Sequence, residues 1–259
     1  MHPKLEISLH PATSSDVPEL LKIHLVAFQC DQFSNLMLLG RDPNEFERLL
    51  SKSIETWTSD PNAQLIKAVA KNGAIVGYAC WVTEDAPDVE QDLPKSESET
   101  RDDSLQDAPV SQHKLLPKDL GKLMREDLVS RKKELIGNIQ HLVLQALITH
   151  PQWQCKGIGA QLVQWGTTRA DTEGLACWAH ASPSGHGVYL RAGFEELDAS
   201  DYDLDRYLPE EEQGEPKWGT YTFRYMMRSQ IKALVMHIRR VADENIVLCN
   251  SAQQKAKPS

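Results

Sequence analysis

This chain of 259 residues lacks most of the signals that would settle a function class at once. No apolar run approaches the ~20 residues that cross a bilayer. The start, Met1-His2-Pro3-Lys4-Leu5-Glu6, has no apolar signal-peptide core, so export is not expected. The five cysteines (Cys30, Cys80, Cys155, Cys177 and Cys249) are scattered, without a Cys-x-x-Cys pair, which reads as reduced thiols in a cytoplasmic protein. Nine histidines show neither His-Glu-x-x-His nor a Cys/His ligand spacing, so no metal site is expected. Positive charge is also short. The net charge is −9, and most of it lies between Glu84 and Asp107, where ten acidic residues face only Lys95 and Arg101. No basic face for nucleic acid is visible, and the acidic stretch reads as a solvated, disordered insertion.

What is present is concentrated in residues 147–160. A strand-like run ends at Thr149, Pro151 breaks it, and Gln154-x-x-Gly157-x-Gly159 precedes an amphipathic helix pattern. A turn that opens a helix N-terminus exposes backbone N–H groups and can hold a pyrophosphate. No Gly-Lys-Ser/Thr follows the first glycine, which excludes a Walker A loop. No third glycine completes a dinucleotide fingerprint.

Periodicity supplies the surrounding elements. Leu5–Leu9 alternates as a strand, and Leu20, Leu21, Ile23, His24 and Ala27 mark a helix ending near Phe28. A second helix is expected over Asn44–Thr58. Strands are expected at Leu65–Ala70 and Ile75–Val82, joined by Lys71-Asn72-Gly73, a hairpin signal. After the insertion, Leu120, Leu123, Met124 and Leu128 share one face of a helix over Lys118–Ile136. His141–Thr149 reads as a central strand buried on both faces. A helix over Gly157–Glu173 ends at Gly174, a strand covers Leu175–Ala181, and a short helix over Ser184–Ala192 stops at Gly193. Phe194 opens another strand. A last strand over Lys217–Arg228 carries Tyr221, Phe223 and Tyr225 on one face, and residues 230–243 follow a helical pattern.

Two motifs in this order carry a family resemblance. Gln154-x-x-Gly157-x-Gly159 after a strand, and Tyr189-Leu190-Arg191-Ala192-Gly193-Phe194 about 30 residues on, resemble the acetyl-CoA loop and the Tyr-x-x-x-Gly-Phe segment of the GNAT N-acetyltransferase superfamily. Thr149–Gly166 with Ala181-Ser182-Pro183 is similar to the small-molecule members common in fungi. The resemblance implies an α/β (α+β) fold of the GNAT acyl-CoA N-acyltransferase type. Its central mixed, mostly antiparallel sheet would be flanked by helices and interrupted by the disordered acidic insertion. Residues 1–83 and 113–228 would form the two parts of that domain, 84–112 the insertion, and 229–259 a C-terminal extension.

The function implied is acetyl-CoA-dependent N-acetylation of a small-molecule amine by direct attack on the thioester. The alternatives are acetylation of a protein or peptide, and a non-catalytic acyl-CoA-binding module. Acetyl-CoA would be the cosubstrate, without a metal, a nucleic acid or a membrane, in a monomer or homodimer. By the resemblance, Gln154, Cys155, Lys156, Gly157, Ile158, Gly159 and Ala160 hold the pyrophosphate, with glycines where a Cβ would obstruct it. Leu147, Ile148 and Thr149 bond the pantetheine arm along a strand that splays from its neighbour. Tyr189 protonates the departing thiolate.

The base is open. Gln145 could order a water, and His180 stands where related sequences often carry Glu and could act near neutral pH. His141 stands at the entry of the same strand as Gln145, and His150 abuts the loop and is expected to face CoA or solvent. Cys155 also departs from the family pattern, which has glycine or a basic residue there, and its side chain is expected to point outward. Phe28 and Phe33, after the first helix, are the expected acceptor-binding residues. Trp153, Trp165 and Trp178 read as core.

Overall fold

The computed structural model describes residues 6–39, 41–85, 115–137, 139–209, 214 and 217–229. The elements run β1 (Ile7–Pro11), α1 (Val17–Phe28), α2 (Gln32–Leu38), α3 (Pro43–Ser59), β2 (Ala63–Ala70), β3 (Ile75–Glu84), α4 (Pro117–Ile136), β4 (His141–Thr149), α5 (Ile158–Glu173), β5 (Ala176–Ala181), α6 (Pro183–Arg191), β6 (Glu195–Asp203) and β7 (Thr220–Arg228). Seven strands form one sheet in the order β1-β2-β3-β4-β5-β7-β6. Every pair is antiparallel except β4–β5. That parallel pair needs a crossover, and α5 supplies it.

Alternation along the strands loads both faces. On one face Leu162, Val163 and Ala170 of α5 and Tyr189 of α6 pack on Ile66, Ala68, Ala79, Trp81, Leu142 and Leu144. On the other, Val17, Leu20 and Ile23 of α1 and Ile54 of α3 pack on Leu65, Tyr78, Cys80 and Ile148. Further along that face α4 covers Val143, Trp178 and Tyr225 through Ile136, and joins Leu36 of α2 and Tyr202, Tyr221 and Phe223 of β6 and β7 through Leu120 and Met124. Each large side chain removed from water in this way stabilises the fold by about 1.5–3 kcal/mol before entropy is counted.

The helices begin where short polar side chains can accept orphan amides. Asp31 accepts from Ser34 N at the start of α2, Asp42 from Asn44 N at α3, and Ser182 from Gly185 N at α6. Gly174, left-handed at φ 70°, ends α5 as its pattern predicts.

The structure corrects several boundaries. β1 starts two residues later than expected. Glu84, assigned to the insertion, closes β3, paired with His141 and bridged to Lys132 of α4. The rest of the expected insertion lies outside the described residues, except Asp85, as do the helix over 230–243 and the end of the chain. Leu123, placed on the inner face of α4, is 45% exposed, because the helix turns Leu120 and Met124 inward and leaves Leu123 at its margin. α2 was not foreseen. Its seven residues are too short to show a period, and it is set by the Asp31 cap and by Leu36, fully buried among β6 and β7 residues. β6 begins at Glu195, one residue after the expected Phe194. As the edge strand it is polar, Glu-Glu-Leu-Asp-Ala-Ser-Asp-Tyr-Asp, and carries little apolar alternation.

Among the described residues no helix is long and apolar enough to cross a membrane, and no group of three or more His, Cys, Asp and Glu could hold a metal.

Candidate active site

The site begins with a fault in the sheet. β4 pairs with β5 only over His141–Leu144 against Ala176–Ala179. On the β3 side the register jumps from Trp81↔Leu144 to Cys80↔Ala146, so Gln145 is an extra, unpaired residue. A bulge of this kind bends the strand and re-aims the residues beyond it. Leu142 and Leu144 before it face α5, whereas Ala146 and Ile148 after it face α1. From Gln145 on, β4 has left β5, and Leu147, Ile148 and Thr149 border an opening. Gln145 itself is exposed there. Gly77 of β3 helps hold this geometry: a Cβ on it would stand 2.6 Å from the carbonyl oxygen of Ile148.

At the end of β4 the chain makes a tight turn over Pro151–Trp153 and enters α5 through Gln154–Gly157. The Gln154 side chain donates to the Thr149 carbonyl at 3.1 Å and closes the loop. Gly157 is left-handed (φ 83°), and nothing in the protein lies within 4 Å of where its Cβ would be. Its glycine is therefore required first by backbone conformation. Cys155 is the one non-glycine residue with positive φ (57°) among the described residues, and it is exposed, as expected. Lys156 lies over the Trp153 ring at 5.1 Å. The first bond of α5 runs from Gln161 N to the Gly157 carbonyl. The amides of Ile158, Gly159 and Ala160 thus have no intrahelical acceptor, and the positive end of the dipole coincides with them.

Tyr189 is held on α6 with its ring buried against Phe194 (5.7 Å between centroids). Gly185, one turn earlier, leaves room for the phenol: a Cβ there would be 3.3 Å from the hydroxyl. Burial pushes the phenol pKa up, so the group stays protonated and can donate.

His180 on β5 is sandwiched in an aromatic row, 4.4 Å from Phe223 and 5.0 Å from Tyr225. Its Nε2 is buried without a hydrogen-bond partner. Burial pushes its pKa down to about 4, against an upward pull from the Asp127 charge. It is a neutral acceptor at neutral pH and a weaker base than the sequence suggested. Beside it the Asp127 carboxylate of α4 accepts from the hydroxyls of Ser200 (2.6 Å), Tyr202 (2.8 Å) and Tyr225 (2.6 Å). Burial pulls the Asp127 pKa up, but these donors and Arg131 more than offset it and hold the group below the usual carboxylate range.

Sequence reasoning passed over another desolvated histidine, His24. His24 appeared only as one member of the inner stripe of α1. Its Nδ1 lies 2.7 Å from the Tyr78 hydroxyl and its ring 4.9 Å from Phe28. Desolvation lowers its pKa to about 4. Its place on an otherwise apolar helix face was the available signal.

The expected acceptor residues are separated. Phe28 lines a cavity of about 540 Å³ between α1, α2 and α3. Phe33 lies 5.5 Å from Tyr221 and 5.3 Å from Phe223, packed against the core over β6 and β7. His141 is buried at the other end of β4, with Nδ1 donating to the Ile139 carbonyl, away from the opening. His150 accepts from Gln152 N in the loop turn. Trp178 is core, and Trp153 and Trp165 flank the core under α5.

Burial lowers the pKa of three described histidines, His24, His141 and His180, and the first and last of these, which reach about 4, predict acid sensitivity. Below pH 6.5 the imidazoles take up protons in the unfolded chain, whereas in the fold they resist until about pH 4. Stability is therefore full above 6.5 and is lost as pH falls toward 4, by up to about 3 kcal/mol for each histidine. Urea midpoints between pH 7 and 4.5 should fall steeply, and His180→Gln should flatten that slope. An unchanged slope in both His180→Gln and His24→Gln would contradict the burial argument.

Residues 126–203, from α4 to the end of β6, match the family model described as Acetyltransferase (GNAT) domain. Arylalkylamine N-acetyltransferase 2 from Aedes aegypti is similar in structure, with a TM-score of 0.58 and 19% identity over 86% of this chain and 99% of that one. A mosquito arylalkylamine N-acetyltransferase-like protein, 5b, gives 0.55 at 14% identity over 86% and 99%. An agmatine N-acetyltransferase gives 0.55 at 13% identity over 85% and 98%. No curated protein matches the chain. The fold is the mixed α/β GNAT fold, and the matched domain is that of an acyltransferase enzyme.

Proposed function

We propose that this protein transfers the acetyl group of acetyl-CoA to the amine of a small molecule. The observation that carries the reading is the separation of β4 from β5 at Gln145, continuous with the unpaired amides at the start of α5. When bound, acetyl-CoA supplies the acyl group as a thioester. The amides of Ile158, Gly159 and Ala160, with the turn at Cys155–Gly157, fit a pyrophosphate. The freed edge of β4 at Leu147, Ile148 and Thr149 fits the amides of the pantetheine arm. A backbone N–H on that edge also polarises the thioester carbonyl.

In the transfer, a C–N bond forms between the amine and the acetyl carbon and the C–S bond breaks. The phenol of Tyr189 gives its proton to the leaving sulfur. The amine proton is accepted through Gln145-bound water or by the unpartnered Nε2 of His180 on β5, the strand from which β4 departs. Phe28 borders the acceptor, whereas Phe33 packs on the core over β6 and β7. Arylalkylamine and agmatine N-acetyltransferases share the fold, which supports a small-amine acceptor, and the local sequence resembles fungal small-molecule members. The scattered cysteines, without a Cys-x-x-Cys pair, fit a cytoplasmic enzyme.

The test of this reading is Gly157→Asp. A side chain at φ 83° is strained, and a carboxylate there repels a pyrophosphate. Titration calorimetry should show acetyl-CoA binding to the native protein and none to the variant. Equal affinity in the two would remove the loop from the cosubstrate site. Thiol release over a panel of primary amines then tests the transfer itself.

A further inference from the structure

The cavity of about 540 Å³ opens between α1, α2 and the first turns of α3. Its wall is apolar, built by Leu25, Val26, Phe28, Leu38 and Phe46. Its polar groups are unevenly placed. On the side toward the sheet is His24, bonded to Tyr78. Tyr78 is in register with Ile148, within the part of β4 that has left β5. The inner wall is therefore one strand away from the opening where transfer is placed. On the solvent side are two exposed cations, Lys22 and Arg41, against a single lining carboxylate, Glu47. Lys22 reaches Glu19 at 3.3 Å, an exposed pair of little strength. Among the described residues the Arg41 guanidinium has no ion-pair or hydrogen-bond partner.

We propose that this chamber is the acceptor site and that its occupant is a primary amine whose apolar body carries a carboxylate at the end remote from the amine. The inference rests on the acetyl-transfer reading above and names its substrate class. The apolar wall takes the body, as small-molecule pockets do. His24 and Phe28 border the path of the amine toward the split, and the imidazole is neutral there, so it does not repel an incoming amine. Arg41, helped by Lys22, meets the carboxylate in the forked geometry that a guanidinium offers. A polycationic amine is disfavoured, because two cations and one carboxylate line the chamber.

The test compares two amines that differ only in the anionic group, phenethylamine and 4-(2-aminoethyl)benzoate, by thiol release from acetyl-CoA with the full chain. The benzoate should be preferred by about fivefold or more in kcat/KM, the size expected of exposed charge pairs, and the difference should lie in KM. The double variant Lys22→Gln/Arg41→Gln should lose the preference, and Lys52→Gln, on α3 outside the chamber, should keep it. Equal kcat/KM for the two amines, or a preference that survives the double variant, overturns the proposal. If acetyl-CoA binds but neither these two amines nor the panel of primary amines releases thiol, the transfer reading fails. The chamber is then tested by calorimetry of 4-(2-aminoethyl)benzoate on the acetyl-CoA-loaded protein. Binding that is lost in the double variant supports the chamber, and no binding, or binding equal in both proteins, overturns it.

Discussion

Tyr189→Phe should lower kcat by roughly 10²–10⁴-fold while leaving acetyl-CoA affinity nearly unchanged. The ring is packed against Phe194 and sits over Gly185, and removing one hydroxyl disturbs neither contact. The fold should therefore survive, and thermal unfolding in the presence of acetyl-CoA checks that it does. The phenol is held protonated by burial, so what the variant loses is a proton donor. A donor to the leaving sulfur acts only as the C–S bond breaks, so the loss belongs in kcat and in kcat/KM alike. Thioesters with more acidic leaving thiols need less protonation and should lose less. Near-normal turnover by a folded, CoA-binding Tyr189→Phe protein would make the residue a packing element of α6. Solvent or the departing ammonium would then protonate the thiolate.

The largest effect on stability is expected at Gly166, in the middle of α5. A Cβ built there would lie 2.0, 2.3 and 2.4 Å from three ring atoms of Trp81. Trp81 is fully buried between α5 and the sheet, and its Nε1–H reaches the Leu162 carbonyl at 3.4 Å. The ring cannot move aside without opening the core, and the helix cannot lift without moving the loop at its N-terminus. Gly166→Ala should destabilise by about 3 kcal/mol or more, at the upper end of overpacking costs, although alanine is the better helix former. Replacing Trp81 by Phe in the same chain should recover part of this, with a coupling of about 1 kcal/mol or more in a double-mutant cycle. Additive losses in the cycle would mean that the two residues do not meet. Because α5 carries the loop amides, Gly166→Ala should also weaken acetyl-CoA binding, unlike a destabilising change remote from α5.

The strand–loop–helix unit of the candidate site was legible because its conformation is local. Gln154, Gly157 and Gly159 lie within six residues, and the strand before them and the helix after them have clear periods. The left-handed turn at Gly157 and the closure of the loop by Gln154 need only near neighbours in sequence. The place of Tyr189 on its short helix was readable for the same reason, four residues before the glycine that follows that helix. The reading of Gly157 as a space requirement was incomplete, since the structure shows that its conformation comes first. His180 was placed correctly on β5, but its neutrality depends on Phe223 and Tyr225 of β7, about 45 residues away, and no local pattern reports that burial.

Sequence alone therefore determined the strand–loop–helix unit, the order of most elements and the acidic stretch, because backbone conformation, amphipathic period and charge are properties of neighbouring residues. Tertiary structure decided the rest. The bulge at Gln145 exists only as a mismatch between two strands more than 60 residues apart, Cys80–Trp81 and Leu144–Ala146. The Asp127 cluster gathers residues of α4, β6 and β7, and the His24–Tyr78 pair joins α1 to β3. The seven-residue α2 is stable only where Asp31 caps it and accepts from Tyr221, 190 residues along the chain. Each of these depends on which faces are buried against which, and burial is a property of the packed chain, fixed only when distant segments exclude water together.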